Sequence, residues 1–331
     1  MTDARAAEVL GQLAAEGVSP WLSGPGPALP DAAALAATVR QGFRGAALPA
    51  GTPAGAVRIV CDVLRAVHDG GGHGDGWVSV GLPMPAGRGA RALVSAARAL
   101  YGAVDRPNLL IGVPATPAGV EAAGACLAEG ISVESTGVVT AARAERVLDA
   151  QLAGLERAMV SGEDLAGLLA AMSCALGPLD DEVNAALAAR RSAGGESGEG
   201  GRRGGDGGTD GPTEGTEAAE ATAERLRDAA GLSTARVLHR LREERLGDDW
   251  WRVLRAAGAG PPLLVWRDSS ARHVMDVVGW NTGHVLTESV VAEVAASAGG
   301  GPRGDTLMAG WEEARAVLRE LRDLGVLPGD F

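Results

Sequence analysis

Eight short β-rich runs, separated by stretches with helical periodicity, limit this chain to few folds. The runs are SPWL (19–22), FRGAAL (43–48), WVSVGL (77–82), NLLIGV (108–113), GISVES (130–135), LLAAMSCAL (168–176), PLLVW (262–266) and HVLT (284–287). Helical segments lie between them, for instance at 89–103, 117–129, 141–160 and 311–324. Such alternation places parallel strands beside crossover helices. Eight units in 331 residues predict a (β/α)8 barrel formed as one domain, with an open doubly wound sheet as the alternative. A hydrophobic content of 46% is enough for one large core.

One stretch interrupts the pattern. Residues 192–220, SAGGESGEGGRRGGDGGTDGPTEGTEAAE, replace every large apolar side chain with glycine and charge, which predicts a flexible surface loop inserted between strands six and seven. Its glycines fit neither GxGxxG nor GxxxxGK[ST], so no phosphate-cradling loop is expected. GGGHGDG, 70–76, is likewise read as a loop with His73 and Asp75 solvated, because one His and one Asp do not make a metal site.

Composition excludes several function classes. A net charge of −12 argues against nucleic acid, whose phosphates need a basic patch. The start, MTDARAAEVLGQ, lacks a signal peptide's basic and apolar regions, and no uninterrupted apolar run is long enough to span a bilayer, so a cytoplasmic, membrane-free protein is expected. Cys61, Cys126 and Cys174 form no CxxC pair and lie in apolar surroundings, which predicts buried free thiols with no metal or cofactor. All 30 basic residues are arginine. Any mechanism that needs an amine side chain to form a Schiff base is therefore excluded.

In a barrel of this kind, chemistry sits at the C-terminal strand ends. There the segment PNLLIGVPATPAGVEAAGACLAEGISVEST, from residue 107, resembles the centre of the transaldolase family, where an IKIPAT strand leads through a helix to a GI-x-x-N-x-T strand. The resemblance extends to GVSPWL (17–22), WVSVGLPMP (77–85, similar to VSIEVDP), MSCALGPLDDEVN (172–184, similar to SFFVSRVDTEVD), LSTARVLHRL (232–241), LLVWRDSSARH (263–273, similar to LWASTGTKN) and GDTLMAGWEEARAVLRELRDLGV (304–326). It implies a barrel whose family transfers a dihydroxyacetone unit between sugar phosphates in the pentose phosphate pathway. It also implies that members usually continue beyond the point matching Phe331, with a helix that helps cover the site. A differently capped mouth and an apolar patch awaiting a partner are the corresponding expectations.

Carried across by position, the family's reactive groups are mostly replaced. The Schiff-base lysine falls on Gly112, the catalytic aspartate after WL on Ser23, the glutamate of VSIEVDP on Gly81, and the asparagine of GI-x-x-N-x-T on Glu134. The asparagine of a GVTSNP strand has no counterpart in GFRGAALP, 42–49, and a phosphate-binding arginine falls on Pro178. Thr136, Ser173 and Arg272 remain, and Ser269 with Arg272 marks the expected phosphate loop after strand seven.

Two readings follow. In one, the chain is a catalytically inactive homologue with a binding or regulatory role, partnered by a sugar phosphate, a second copy or an active transaldolase. In the other, it performs lysine-independent chemistry on a sugar or sugar phosphate, with Glu134 as acid or base and Ser23, Ser173, Asp268, Ser269 and Arg272 orienting the ligand. The plainer alternative pairs Glu134 with an arginine such as Arg44. An open mouth with Glu134 and Arg272 converging would favour new chemistry, whereas a filled mouth would favour inactivity, with Trp266, Trp280, Met84 and Met172 as fillers. No Ser–His–Asp constellation is apparent, and His239, His273 and His284 are expected to be structural or solvated.

Overall fold

The computed structural model describes residues 2–24, 31–83, 89–199, 214–297 and 304–327. Eight strands, β1 (Val18–Ser23), β2 (Gly45–Leu48), β3 (Val78–Gly81), β4 (Leu109–Pro114), β5 (Val133–Thr136), β6 (Ala170–Ala175), β7 (Leu263–Arg267) and β8 (Thr282–Leu286), close into a barrel in sequence order. Every pairing is parallel, including the closure of β8 onto β1. All eight sequence-derived runs therefore contain barrel strands, although several begin or end a few residues away.

Helices α1 (Thr2–Ala15), α2 (Ala32–Arg40), α3 (Ala54–Gly70), α4 (Ala90–Val104), α5 (Pro117–Ala128), α6 (Ala141–Ser161) and α7 (Leu176–Glu199) surround the first six strands. They are followed by α8 (Glu214–Leu226), α9 (Ala230–Leu246), α10 (Asp249–Ala256), α11 (Ala271–Asp276), α12 (Glu288–Ala296) and α13 (Trp311–Asp323). The glycine-rich stretch falls between α7 and α8, whose ends reach into it, and its residues 200–213 lie outside the described residues.

Strand alternation divides the core into two shells. Trp21, Leu110, Ala171, Leu263 and Val265 are among the side chains that fill the barrel interior. The opposite strand faces carry residues such as Val78, Ile111 and Val133, which pack against the helices. The helix starts are locally encoded. Thr116 accepts a hydrogen bond from the Gly119 amide ahead of a proline at the first turn of α5, and Thr140 does the same for Arg143 at α6. All three cysteines are free and buried, and burial pushes each thiol up to about 12, which leaves them unreactive at neutral pH.

Among the described residues, no helix is long and apolar enough to cross a membrane, and no group of three or more His, Cys, Asp or Glu side chains is placed to hold a metal. A cavity of about 900 Å³ opens on the barrel's N-terminal face, bordered by Arg44, Asp75, Arg242 and Trp280.

Candidate functional site

The C-terminal half of the barrel is organised around one carboxylate. Glu134 on β5 is completely buried and points into the interior. From across the barrel, at the end of β7, Arg267 grips it in a fork: Nε donates to Oε1 at 2.7 Å and Nη2 to Oε2 at 2.6 Å. Ser79 on β3 ties the pair together, donating to Oε2 while its oxygen accepts from Arg267 Nη2 at 2.9 Å. Ser173 on β6 is buried, and its hydroxyl has no hydrogen-bond partner among the described residues.

Solvation sets the charge state. Burial alone would push the Glu134 carboxyl up, but the adjacent Arg267 guanidinium and the Ser79 hydroxyl reverse this and hold it below the usual carboxylate range. Arg267 is held above its ordinary value because Glu134 outweighs the cost of its own burial. The pair is therefore ionised, bidentate and neutral overall. A carboxylate stabilised in this way is a weak base, and a guanidinium cannot act as an imine-forming nucleophile.

Two of the positions expected from the resemblance to match family reactive groups, Gly81 and Gly112, form a row beside this pair. Gly81 on β3 is in register with Gly112 on β4, and Gly112 with Glu134 on β5. A Cβ built on Gly112 would come within 3.0 Å of Gly81 Cα and 3.3 Å of the Val80 carbonyl oxygen, so paired glycines allow the two strands to approach closely. Ser23 closes β1 in register with Ala47, and Thr136 ends β5, its hydroxyl donating to the Val113 carbonyl at 3.4 Å.

Arg272 does not converge with Glu134. Its guanidinium is committed to Asp180, at 2.8 Å, and to Asp228. Ser269 is buried, and its hydroxyl has no hydrogen-bond partner among the described residues.

Several side chains lie elsewhere than the sequence suggests. Arg44 bonds Asp75 at 2.8 Å instead of Glu134, and Asp75 is buried, accepting a 2.6 Å bond from Ser19. Asp75 is not solvated because the turn before β3 folds it beneath the barrel floor, where Trp21 Nε1 also donates to Ser19 Oγ and to the Gly74 carbonyl. His73 is partly buried, and desolvation lowers its pKa. Trp266 and Met172 pack outside the barrel against the helices, while Trp280 is 65% exposed and borders the N-terminal cavity. Met84 lies outside the described residues.

The histidines also differ from a solvated placement. His239 on α9, His273 on α11 and His284 on β8 are all buried. Burial pushes His284 down to about 3, so it is neutral at pH 7. His273 Nε2 lies 2.9 Å from Asp180 Oδ2, and its Nδ1 lies 3.1 Å from Ser270 Oγ. A Ser–His–Asp contact series is therefore present, assembled from α7 and the β7–α11 turn. Sequence inspection misses it because 90 residues separate Asp180 from Ser270. Arg267 was missed too, although an arginine closing the apolar run PLLVW was a visible signal.

Comparison with known proteins identifies the barrel's relatives. Residues 52–197 match the family model for Transaldolase/Fructose-6-phosphate aldolase. The transaldolase of Parafrankia sp. is 34% identical over 278 residues, covering 82% of this chain and 67% of that protein. The chain belongs to the transaldolase family. Other transaldolases of the family, from Acidothermus cellulolyticus and, as Transaldolase 1, from Streptomyces avermitilis, are 33% and 31% identical over the same share of this chain. The chain spans about two thirds of the length of these curated relatives.

Proposed function

We propose that this transaldolase-family barrel does not carry out dihydroxyacetone transfer and instead serves a binding or regulatory role. One observation carries the reading: the barrel interior beside Gly112, where the resemblance puts the family's lysine, is occupied by the Arg267–Glu134–Ser79 network. The family reaction needs an amine to attack a ketose carbonyl and form an iminium that accepts electrons as the C–C bond breaks, with a carboxylate moving protons. This chain has no lysine, and glycine or serine stands at the two carboxylate positions, Gly81 and Ser23. Glu134 offers little as a replacement acid or base, because both its oxygens are bonded and its pKa is held low.

A sugar phosphate is the ligand class to test first, and a second copy or an active transaldolase the partner. Three free, buried cysteines fit a reducing, cytoplasmic setting. The deciding experiment assays the purified chain for exchange of a dihydroxyacetone unit between sugar phosphates, with borohydride trapping of any imine. Neither turnover nor a trapped adduct is expected, and either would overturn the reading. A thermal-shift screen of sugar phosphates tests binding, since free ligand at 100 times Kd stabilises by roughly 2.7 kcal/mol. Size-exclusion chromatography with and without added transaldolase tests the partner.

A further inference from the structure

We propose that the cavity at the N-terminal face of the barrel binds an uncharged heteroaromatic ring carrying both hydrogen-bond donors and acceptors, the chemistry of a nucleoside's base. Its volume of about 900 Å³ falls within the range of small-molecule sites. It lies between the starts of β1, β7 and β8 and the α9–α10 corner, at the opposite end of the barrel from Gly112 and Arg267. An occupant there touches none of the groups in the Glu134 network.

Unmet hydrogen bonds mark the wall. His239 on α9 borders the cavity and is 2% exposed, and neither of its ring nitrogens has a hydrogen-bond partner among the described residues. Gly279 backs the ring on one side, where a Cβ would come within 3.1 Å of Nε2, so Nδ1 lies on the edge away from it. Asn281 Nδ2 and His73 Nε2, on residues lining the same cavity, are likewise buried without partners. Buried polar groups left in this state cost free energy that a ligand with matching donors and acceptors restores. Burial and the nearby Arg242 push His239 down to about 4, so at neutral pH its ring offers one donor and one acceptor, and the Asn281 amide adds a donor.

Charge on the lining is balanced, with Arg44, Arg242 and Arg255 matched by Asp75, Glu243 and Asp305. Two of the arginines are already committed: Arg44 Nη1 donates to Asp75 at 2.8 Å and Arg242 Nη2 to Glu243 at 2.7 Å. An ionic ligand meets no net counter-charge, whereas a neutral one leaves both pairs intact. Apolar surface comes from Leu246, Trp251 and Trp280, and Trp280, 65% exposed at the rim, offers an indole on which a planar ring can stack. The Trp280 wall is built before any ligand arrives. Arg242 Nη2 donates to the Trp280 carbonyl at 3.0 Å and Nη1 to the Asn281 carbonyl at 2.6 Å, while the Asn281 amide donates to the Gly17 carbonyl at 3.0 Å. Trp280 packs on Gly17, whose φ of +80° and lack of a side chain let the indole approach.

The test titrates the full chain with adenosine, inosine, cytidine and uridine by isothermal titration calorimetry. Saturable one-to-one binding of at least one nucleoside is expected. His239→Leu, which keeps apolar bulk but no ring nitrogens, should weaken it at least tenfold, and Trp280→Ala, at an exposed position that spares the fold, at least threefold. The 5′-monophosphate of the same nucleoside should bind no more tightly, and ribose 5-phosphate should not displace the nucleoside. No saturable binding at millimolar concentration, unchanged affinity in Trp280→Ala or in folded His239→Leu, tighter binding of the monophosphate, or displacement by ribose 5-phosphate would overturn the proposal. If His239→Leu does not fold, Trp280→Ala decides alone. Sugar exchange and borohydride trapping do not read this cavity, so their outcome is independent of this one.

Discussion

Both ends of the barrel hold an arginine, a carboxylate and a serine, and the two sets differ in their access to water. At the C-terminal end, the Glu134 side chain is fully buried and Arg267 is 22% exposed. At the N-terminal end, the Asp75 side chain is 8% exposed and Arg44 is 44% exposed. When its partner is lost, Arg44 can turn to solvent, whereas Arg267 remains enclosed. The same three residue types thus make a demanding structural lock at one end and a tolerant floor clasp at the other.

The largest effect should come from breaking the enclosed pair. Glu134→Ala strands a buried guanidinium and is expected to cost about 3–5 kcal/mol in urea unfolding. A loss below about 1 kcal/mol would mean that the two ends are energetically alike. Gly112→Lys comes next: its Cβ meets β3 backbone, which gives less readily than a side chain. A loss of about 1–3 kcal/mol is expected, without transaldolase activity, because Gly81 and Ser23 still lack carboxylates.

Acid sharpens the contrast. Glu134 has a folded pKa below its unfolded value, so its contribution is complete above the ordinary carboxylate range and is lost as pH falls through the folded value. Glu134→Gln should flatten that part of a stability–pH profile. His284 acts at higher pH. Its folded pKa of about 3 lies below the ordinary 6.5, so the unfolded chain takes up a proton first and stability falls as pH drops below 6.5. Its share of the slope approaches about 1.4 kcal/mol per pH unit, and His284→Phe should remove that share while leaving the part due to His239, which burial pushes down to about 4. The smallest effect belongs to Arg44→Ala, expected to cost about 1 kcal/mol, because Arg44 is itself half open to water and Asp75 keeps its bonds from Ser19 and the Gly72 amide. A much larger loss in thermal unfolding would show that the floor network is as rigid as the upper one.

The barrel was legible in the sequence because parallel strands buried on both faces leave compact apolar runs between amphipathic helices. That Gly81, Gly112 and Glu134 sit in one row was not legible, since only strand register sets them side by side. Nor was partner choice. Glu134 pairs with Arg267, 133 positions away, and although Arg267 closes an apolar run, nothing local names its partner. Trp266 and Met172 show the same limit, because one step of strand alternation separates the barrel interior from the helix-facing shell.

By itself the sequence determined the alternating architecture, the absence of lysine and the bare glycines at 81 and 112, all of which follow from residue identity and local periodicity. Only the tertiary structure decided that Arg267 spans the barrel to neutralise Glu134, that Asp75 is drawn beneath the floor, and that Asp180 meets His273 and Arg272. Those contacts depend on barrel closure, which brings distant strand and helix ends within hydrogen-bonding distance and removes the water that would otherwise satisfy each charge alone.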